Sequence, residues 1–513
     1  MSHVKEETVS NPAEDAPETE QVRLLDLVPK YDYGWWRVPH LLWLNLKMTV
    51  PMMTGYLIGF DSSMLNGIQA VPHWVQDFNN PTGSYLGLLV TMQTIGAIVA
   101  LPFAPFLTDR LGRRHPIALG SAICLLGTAL QGGAPNVATF VAGRFFVGFG
   151  GGLVDNASGP LIAEISYPTH RPTLSALAGT TWYIGSIVAA WSTFGTFKIA
   201  NSWSWRIPSL LQAIPFIYQL GLIYLIPESP RWLISNGRYQ KAKEDLYANH
   251  AGFAADSGEI SPMVELELAE IVAAIEAEKL QNTRSYLDFF ATRGNAHRLV
   301  IVILMGIMAQ WAGNGLLTYL VVVLRGIGIT DPFDQNLINA VLVNHLRRRQ
   351  ALLIGVSGMF TSFIMWTVLS AVNQERGYEK SLGIGIVFAI FFFFIWYNMS
   401  FAPVFPAYTF EVLTFTLRAK GYMILQIFTY GAGLFNGFAN PVALEAIGWK
   451  YYIVFAALLA TWFVAIWFLF PETSGRTLEE VSEIFDGVEV GRTAMDMVQN
   501  EEKGLETNQI EEV

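Results

Sequence analysis

The chain has one cysteine in 513 residues, Cys124, and it lies inside an apolar run, so no disulfide supports the fold. Charge is also scarce: Asp, Glu, Lys and Arg make up 14% of the residues, against ~25% in a soluble domain. No cluster of metal ligands, nucleophile triad or phosphate loop is present, so neither an enzyme nor a bound cofactor is expected. No nucleic-acid partner is expected either. "GRFFVGFGGG", Gly143 to Gly152, is rich in glycine but lacks the spacing of a dinucleotide loop. Gly148 and Gly152 instead form a small-xxx-small face for close helix packing. The first residues are acidic and polar, which is not the pattern of a signal peptide. Asn156 and Asn398 open Asn-x-Ser triplets, but both stand in apolar runs where a glycan does not fit.

What the chain has in abundance is hydrophobicity, 52% of its residues. Apolar runs of about 20 residues recur, each long enough to cross ~30 Å of hydrocarbon as a helix. In lipid every backbone group must be paired within the protein, so helices are the default spanning element. The expected class is an all-α, multi-pass membrane protein. Spans are predicted at 48–68, 85–107, 115–133, 137–157, 174–197, 207–227, 299–324, 350–372, 381–410, 420–445 and 450–471. That makes six, a long polar loop, then five. The net charge of −10 gathers in the ends, so 1–46 and 472–513 read as disordered cytosolic tails.

Orientation follows the basic residues of the short loops. The segments 69–84 and 134–136 have none. The loops after spans two, four and six hold Arg110, Arg113, Arg114, Arg171, Arg231, Arg238, Lys241 and Lys243. These loops are therefore expected to be cytosolic, with the first half at 47–227 and the second at 299–471. Between them, 228–298 is a cytosolic loop in which Ser261 and Pro262 start an amphipathic helix. A solvated surface helix is the preferred reading there.

Three features occur twice in the same order. "LTDRLGRRHPIALG" from Leu107 matches "LVNHLRRRQALLIG" from Leu342. "EISYPTHR" gives Glu164 and Arg171, and "EVLTFTLR" gives Glu411 and Arg418. "PESPRWL" at Pro227 matches "PETSGRTL" at Pro471. Two parallel repeats of six spans form a transporter architecture, with the solute site between the halves near the midplane.

Within span one, Asp61 follows "MMTGYLIGF". An acid there costs roughly 2.5–3.5 kcal/mol or more, so it should be paired and functional. Asp61 lies about 20 Å along its span, and Arg144 about 10 Å from the outer end of span four. In a ~30 Å core these depths are similar, so an Asp61–Arg144 pair is geometrically possible.

From about Gly55 to Asp486 the sequence resembles the sugar porter family of the major facilitator superfamily. The motifs are "GFD", "DRLGRR", "GRFFVGFGGG", "WSWRIP", "PESPRWL", "QWAGNG", "E-x6-R-AKG", Asn440–Pro441 and "PETSGRTLEE". "QWAGNG" and "WKYYIVF" look most like the fungal branch that includes lactose and other disaccharide permeases. The resemblance implies a major facilitator fold of two six-helix repeats and transport of a sugar, a disaccharide or hexose, by alternating access with proton symport. It implies that Asp61 takes up the coupled proton beside Arg144. It also implies a cytosolic charge network of Asp109, Arg110, Arg113, Arg114, Glu164, Arg171, Glu228, Arg231, Glu411, Arg418 and Glu472. A monomer in the plasma membrane is expected, with the sugar, protons and the bilayer as partners. A non-transporting relative or sugar sensor is an alternative, as is a uniporter of a sugar, polyol or other small polar solute.

The sequence departs from the family pattern in several places. Pro105 stands where glycine is usual, which puts helix packing there in question. In the solute site, Gly179, Ala309, Gly315 and Pro406 replace the polar or aromatic residues that the family has. Gln212, Gln310, Asn314, Tyr319, Tyr408, Asn436 and Asn440 remain as hydrogen-bonding candidates, with Trp182 and Trp311 for stacking. A roomier site than one for glucose is expected.

The second half is also short. Met48 to Asp109 is 61 residues, whereas Leu299 to Asn344 is 45. Near 341–343 the middle of the family's eighth span is largely missing, leaving about 11 recognisable spans. Eleven spans would put the arginines at 347–349 outside, or invert everything after them. A short buried or re-entrant segment, a degenerate non-transporting protein, and coding sequence omitted from the translated gene all fit, and the last is preferred.

Overall fold

The computed structural model describes residues 27–29, 34–281, 286–314, 348–377, 379–413, 417–473 and 484–485. Among the described residues the chain is helical, with no strand. The first half holds α1 (Pro39–Ile68), α2 (Gly83–Ala100), α3 (Phe103–Leu111), α4 (Arg114–Gly132), α5 (Val137–Ile165), α6 (Arg171–Thr196), α7 (Trp203–Leu211) and α8 (Ala213–Leu222). After α9 (Pro262–Gln281), the second half holds α10 (Arg293–Trp311), α11 (Arg348–Glu375), α12 (Lys380–Val412), α13 (Arg418–Ile447) and α14 (Tyr451–Leu469). Six stretches among the described residues are long and apolar enough to cross a membrane: Gly83–Ala100, Val137–Ile165, Trp203–Leu225, Arg348–Glu375, Ser381–Phe401 and Lys420–Leu469.

Proline accounts for two departures from the expected spans. The run 85–107 bends at Leu101–Pro102 into α2 and α3, and Pro105 fits because it sits in the first turn of α3, where no N–H is needed. The run 207–227 breaks at Gln212, because Pro215 has no N–H to offer the Leu211 carbonyl. Helix α1 starts nine residues before the expected span, with Pro39 at its first position.

Each half has its own core. Helix α1 packs on α6, and α5 lies between α4 and α2; in the second half α11 packs on α12 and α14, and α10 on α13. The halves meet where α2 crosses α13. Gly87 lies there against the Gly437 carbonyl, and Gly83 at the start of α2 lies beside the Glu445 carboxylate near the end of α13. This contact is therefore at the end of the bundle opposite the arginine loops.

The second half answers the question of parity. Arg298 near the start of α10 donates to the Val412 carbonyl at 3.1 Å. His297 bonds the Leu469 carbonyl at 2.9 Å. Arg348, at the start of α11, pairs with Glu411 at 3.2 Å. The starts of α10 and α11 and the ends of α12 and α14 thus share one end of the bundle. Trp311, at the far end of α10, is level with Ala432 in mid-α13. Arg348 and Arg349 therefore lie on the same side as the first half's basic loops, and neither outcome expected from eleven spans occurs. The shortened eighth span, Asn344, His345, Arg347 and Tyr319 lie outside the described residues.

Helix α9 starts at Pro262 as expected, but it is not free in solvent. Met263, Val264, Leu268 and Ile275 are buried, and the first three join the core formed by α1 and α5.

Candidate functional site

Asp61 and Arg144 meet as expected, each with 1% exposure. The guanidinium donates to both carboxylate oxygens, at 3.1 and 3.3 Å. Two further groups complete the site. Gln93 on α2 accepts from Arg144 at 2.8 Å, and Gln212, in the break between α7 and α8, donates to Asp61 at 2.8 Å. Gln212 was expected to face the solute and instead serves Asp61. Gln93 carries no signal in sequence, being one polar residue within an apolar helix.

This geometry depends on how closely the helices approach. The Gly148 Cα faces the main-chain carbonyl of Gln93, where a Cβ would collide with the oxygen. That contact draws α5 onto α2 and sets Gln93 beside Arg144.

The other solute candidates are dispersed. Gln310, Trp311 and Asn436 come together between α10 and α13. Asn436 donates to the Gln310 carbonyl at 2.9 Å, and Trp311 donates to the Ala432 carbonyl at 3.2 Å and packs on Phe435. Asn314 follows in the turn after α10. Trp182 on α6 is 36% exposed. Its neighbour Tyr183 donates across the halves to Asn398 at 3.3 Å. Tyr408 and Asn440 stand apart from this group. The Tyr408 hydroxyl donates to the Pro471 carbonyl near Glu411, and Asn440 accepts from Tyr451.

At the basic end the internal repeat is visible as geometry. Arg113 donates twice to Glu164, both at 3.1 Å. Glu228 accepts the main-chain N–H of Arg113 at 2.9 Å and of Arg114 at 3.3 Å. Gly112, at φ 86°, makes the turn that presents them. In the second half, Arg348 pairs with Glu411 and the Arg349 N–H reaches Glu472 at 3.2 Å. Arg113, Glu164 and Glu228 thus correspond to Arg348, Glu411 and Glu472. The main-chain carbonyl of Asp109 accepts from Trp232, Arg110 lies over Phe106, and Arg114 reaches the Tyr224 carbonyl. Arg231 lies in the short helix Pro230–Ser235. Arg418 begins α13, and its side chain is outside the described residues.

Arg171 is joined to α9 rather than to Glu164, through Glu267 at 3.2 Å. Glu267 also meets buried His250 at 2.8 Å, and the other ring nitrogen of His250 reaches the Ile165 carbonyl at 3.0 Å. His40 lies close by, and burial first, then His250, hold it below the usual imidazole range. A depressed pKa means that the folded form favours neutral His40. Its contribution is complete above the unfolded value of 6.5 and is lost as pH falls below it. Amide protection factors across 247–281, corrected for the intrinsic exchange rate at each pH, should therefore be lower at about pH 5.5 than at about pH 7.5, and His40→Gln should reduce the difference. An unchanged difference in the variant would remove His40 from this account.

Comparison with known proteins gives a consistent picture. The profile described as "Sugar (and other) transporter" matches residues 47–485. The chain is 29% identical to the MFS-type transporter criB of Aspergillus cristatus, over 85% of this chain and 91% of that one. It is 26% identical to the low-affinity glucose transporter HXT4 of Saccharomyces cerevisiae, over 84% and 79%. The xylose transporter XylE of E. coli, solved in an inward-open conformation, has the same fold, with a TM-score of 0.69 at 21% identity over 85% of this chain and 99% of that one.

Proposed function

Because the chain belongs to the sugar (and other) transporter family and the major facilitator fold, we propose that it carries a sugar across the plasma membrane by proton symport. The observation that supports coupling is the buried Asp61–Arg144 pair. Asp61 accepts three hydrogen bonds, two from Arg144 and one from Gln212. A proton on Asp61 cancels the counter-charge of Arg144, which is left with Gln93 and the Val90 carbonyl. Coupling requires that the proton bind the two access states with different free energies, and loss of the counter-charge at Asp61 supplies a physical basis for such a difference. Inward movement of each positive charge adds ~2.3 kcal/mol per 100 mV.

The cytosolic arginine–glutamate pairs, one set per half, stabilise the state in which their ends are held together. Gln310, Trp311 and Asn436 mark the second half's wall of the solute site. The branch with disaccharide permeases and the replacement of large polar groups favour a disaccharide over a hexose. The carrier works as a monomer.

The test is tracer uptake in transporter-null yeast, with lactose, cellobiose, maltose and glucose, with and without an uncoupler. Uptake that an uncoupler abolishes is expected, and Asp61→Asn should keep sugar exchange while losing accumulation. Uptake indifferent to the uncoupler would instead identify a uniporter. No uptake of any sugar would identify a non-transporting relative.

A further inference from the structure

Helix α5 carries a second acid, Asp155, which the proton pair does not use. It lies 11 residues from Arg144 and 9 from Glu164, so it sits about 14 Å from the basic end of the helix. Among the described residues its carboxylate makes no hydrogen bond or ion pair. It is only partly buried. The residues one turn to either side, Gly151 and Gly159, open onto empty space, since a Cβ at either would meet nothing within 4 Å. The acid therefore stands on an open face of α5.

Groups of the other half lie near this face. The phenols of Tyr422 and Tyr430 on α13 lie within electrostatic reach of Asp155. Gln426 lies between them at one-turn spacing, with no side-chain hydrogen bond among the described residues. Tyr422, Gln426 and Tyr430 stand about 6, 12 and 18 Å from the start of α13, which brackets the level of Asp155. A carboxylate at membrane depth faces a cavity or a partner. Among the described residues Asp155 has no direct partner, so its hydrogen bonds come from what enters the space beside it.

We propose that Asp155 is a solute-recognition residue on the transport path. It accepts hydrogen bonds from adjacent hydroxyls of a neutral sugar, and its charge excludes anionic sugars. A carboxylate accepts from two donors at once and donates none, which suits a pair of vicinal hydroxyls. Gln426 supplies the opposing amide, as both donor and acceptor. The inference rests on the sugar-transport reading above.

The experiment measures tracer uptake of glucose, xylose and lactose, with glucosamine and glucuronate as competitors, in the wild type and in Asp155→Asn. Wild-type uptake should resist glucuronate. In Asp155→Asn, glucuronate should compete about ten-fold better and glucosamine correspondingly worse, as expected when one fixed negative charge is removed. The KM for the neutral sugar should rise about ten-fold, the scale of one hydrogen bond to a charged group. A purely structural role would lower the amount of transporter without reordering the competitors. If Asp155→Asn does not reach the membrane, Asp155→Ser serves for the same comparison. An unchanged order of competitors in an expressed variant overturns the role of Asp155 and leaves sugar transport standing. No wild-type uptake of any sugar removes the transport reading, and this one with it.

Discussion

Arg144→Ala should accumulate little folded protein, and Asp61→Asn in the same chain should restore much of it. Removing the arginine leaves a carboxylate with 1% exposure and only Gln212 to hold it. Breaking a buried pair on one side costs about 3–5 kcal/mol, because an uncompensated charge stays behind. Neutralising both members removes that charge, so the double variant should be more stable than Arg144→Ala alone. The measurement is the thermal midpoint of detergent-solubilised protein by fluorescence-detected size exclusion. Equal stability of the single and double variants would show that the pair is not coupled. Under the proposed symport, the restored protein should still fail to accumulate solute, since it lacks the Asp61 carboxylate.

The second large effect is expected at Gly148. A valine there would drive its Cβ into the main-chain carbonyl of Gln93, and a backbone atom has no rotamer by which to yield. Overpacking costs typically about 1–3 kcal/mol and more where no atom can move aside. Gly148→Val should lower the midpoint sharply and weaken transport, because α2 carries the glutamine that holds Arg144. Gly151→Ala, three residues on, meets open space and should leave the thermal midpoint near that of the wild type. A similar loss at both positions would point to a general intolerance of side chains on α5 rather than to this contact.

The parts of the site that sequence alone made legible were those with contrast. Asp61 and Arg144 are conspicuous because each interrupts an apolar run, and their similar axial depths made a pair geometrically possible. The arginine loops were legible because they recur at nearly constant offsets, and Arg113–Glu164 and Arg348–Glu411 follow that repeat. Gln93 and Gln212 were not assigned to this pair, since a lone glutamine in an apolar helix looks the same whether it meets a solute or another side chain. The partner of Arg171 was hidden for a different reason. Glu267 lies 96 residues away, on a helix whose composition suits solvent as well as a docked face. The breaks at Leu101–Pro102 and at Gln212 were missed because hydropathy averages across a break that a single absent N–H creates.

That last detail bears on how the carrier moves. Gln212 grips Asp61 from the joint between α7 and α8, where the ladder of helical hydrogen bonds is interrupted. In the proposed symport, a proton at Asp61 would slacken a tether fastened where the helical ladder is interrupted.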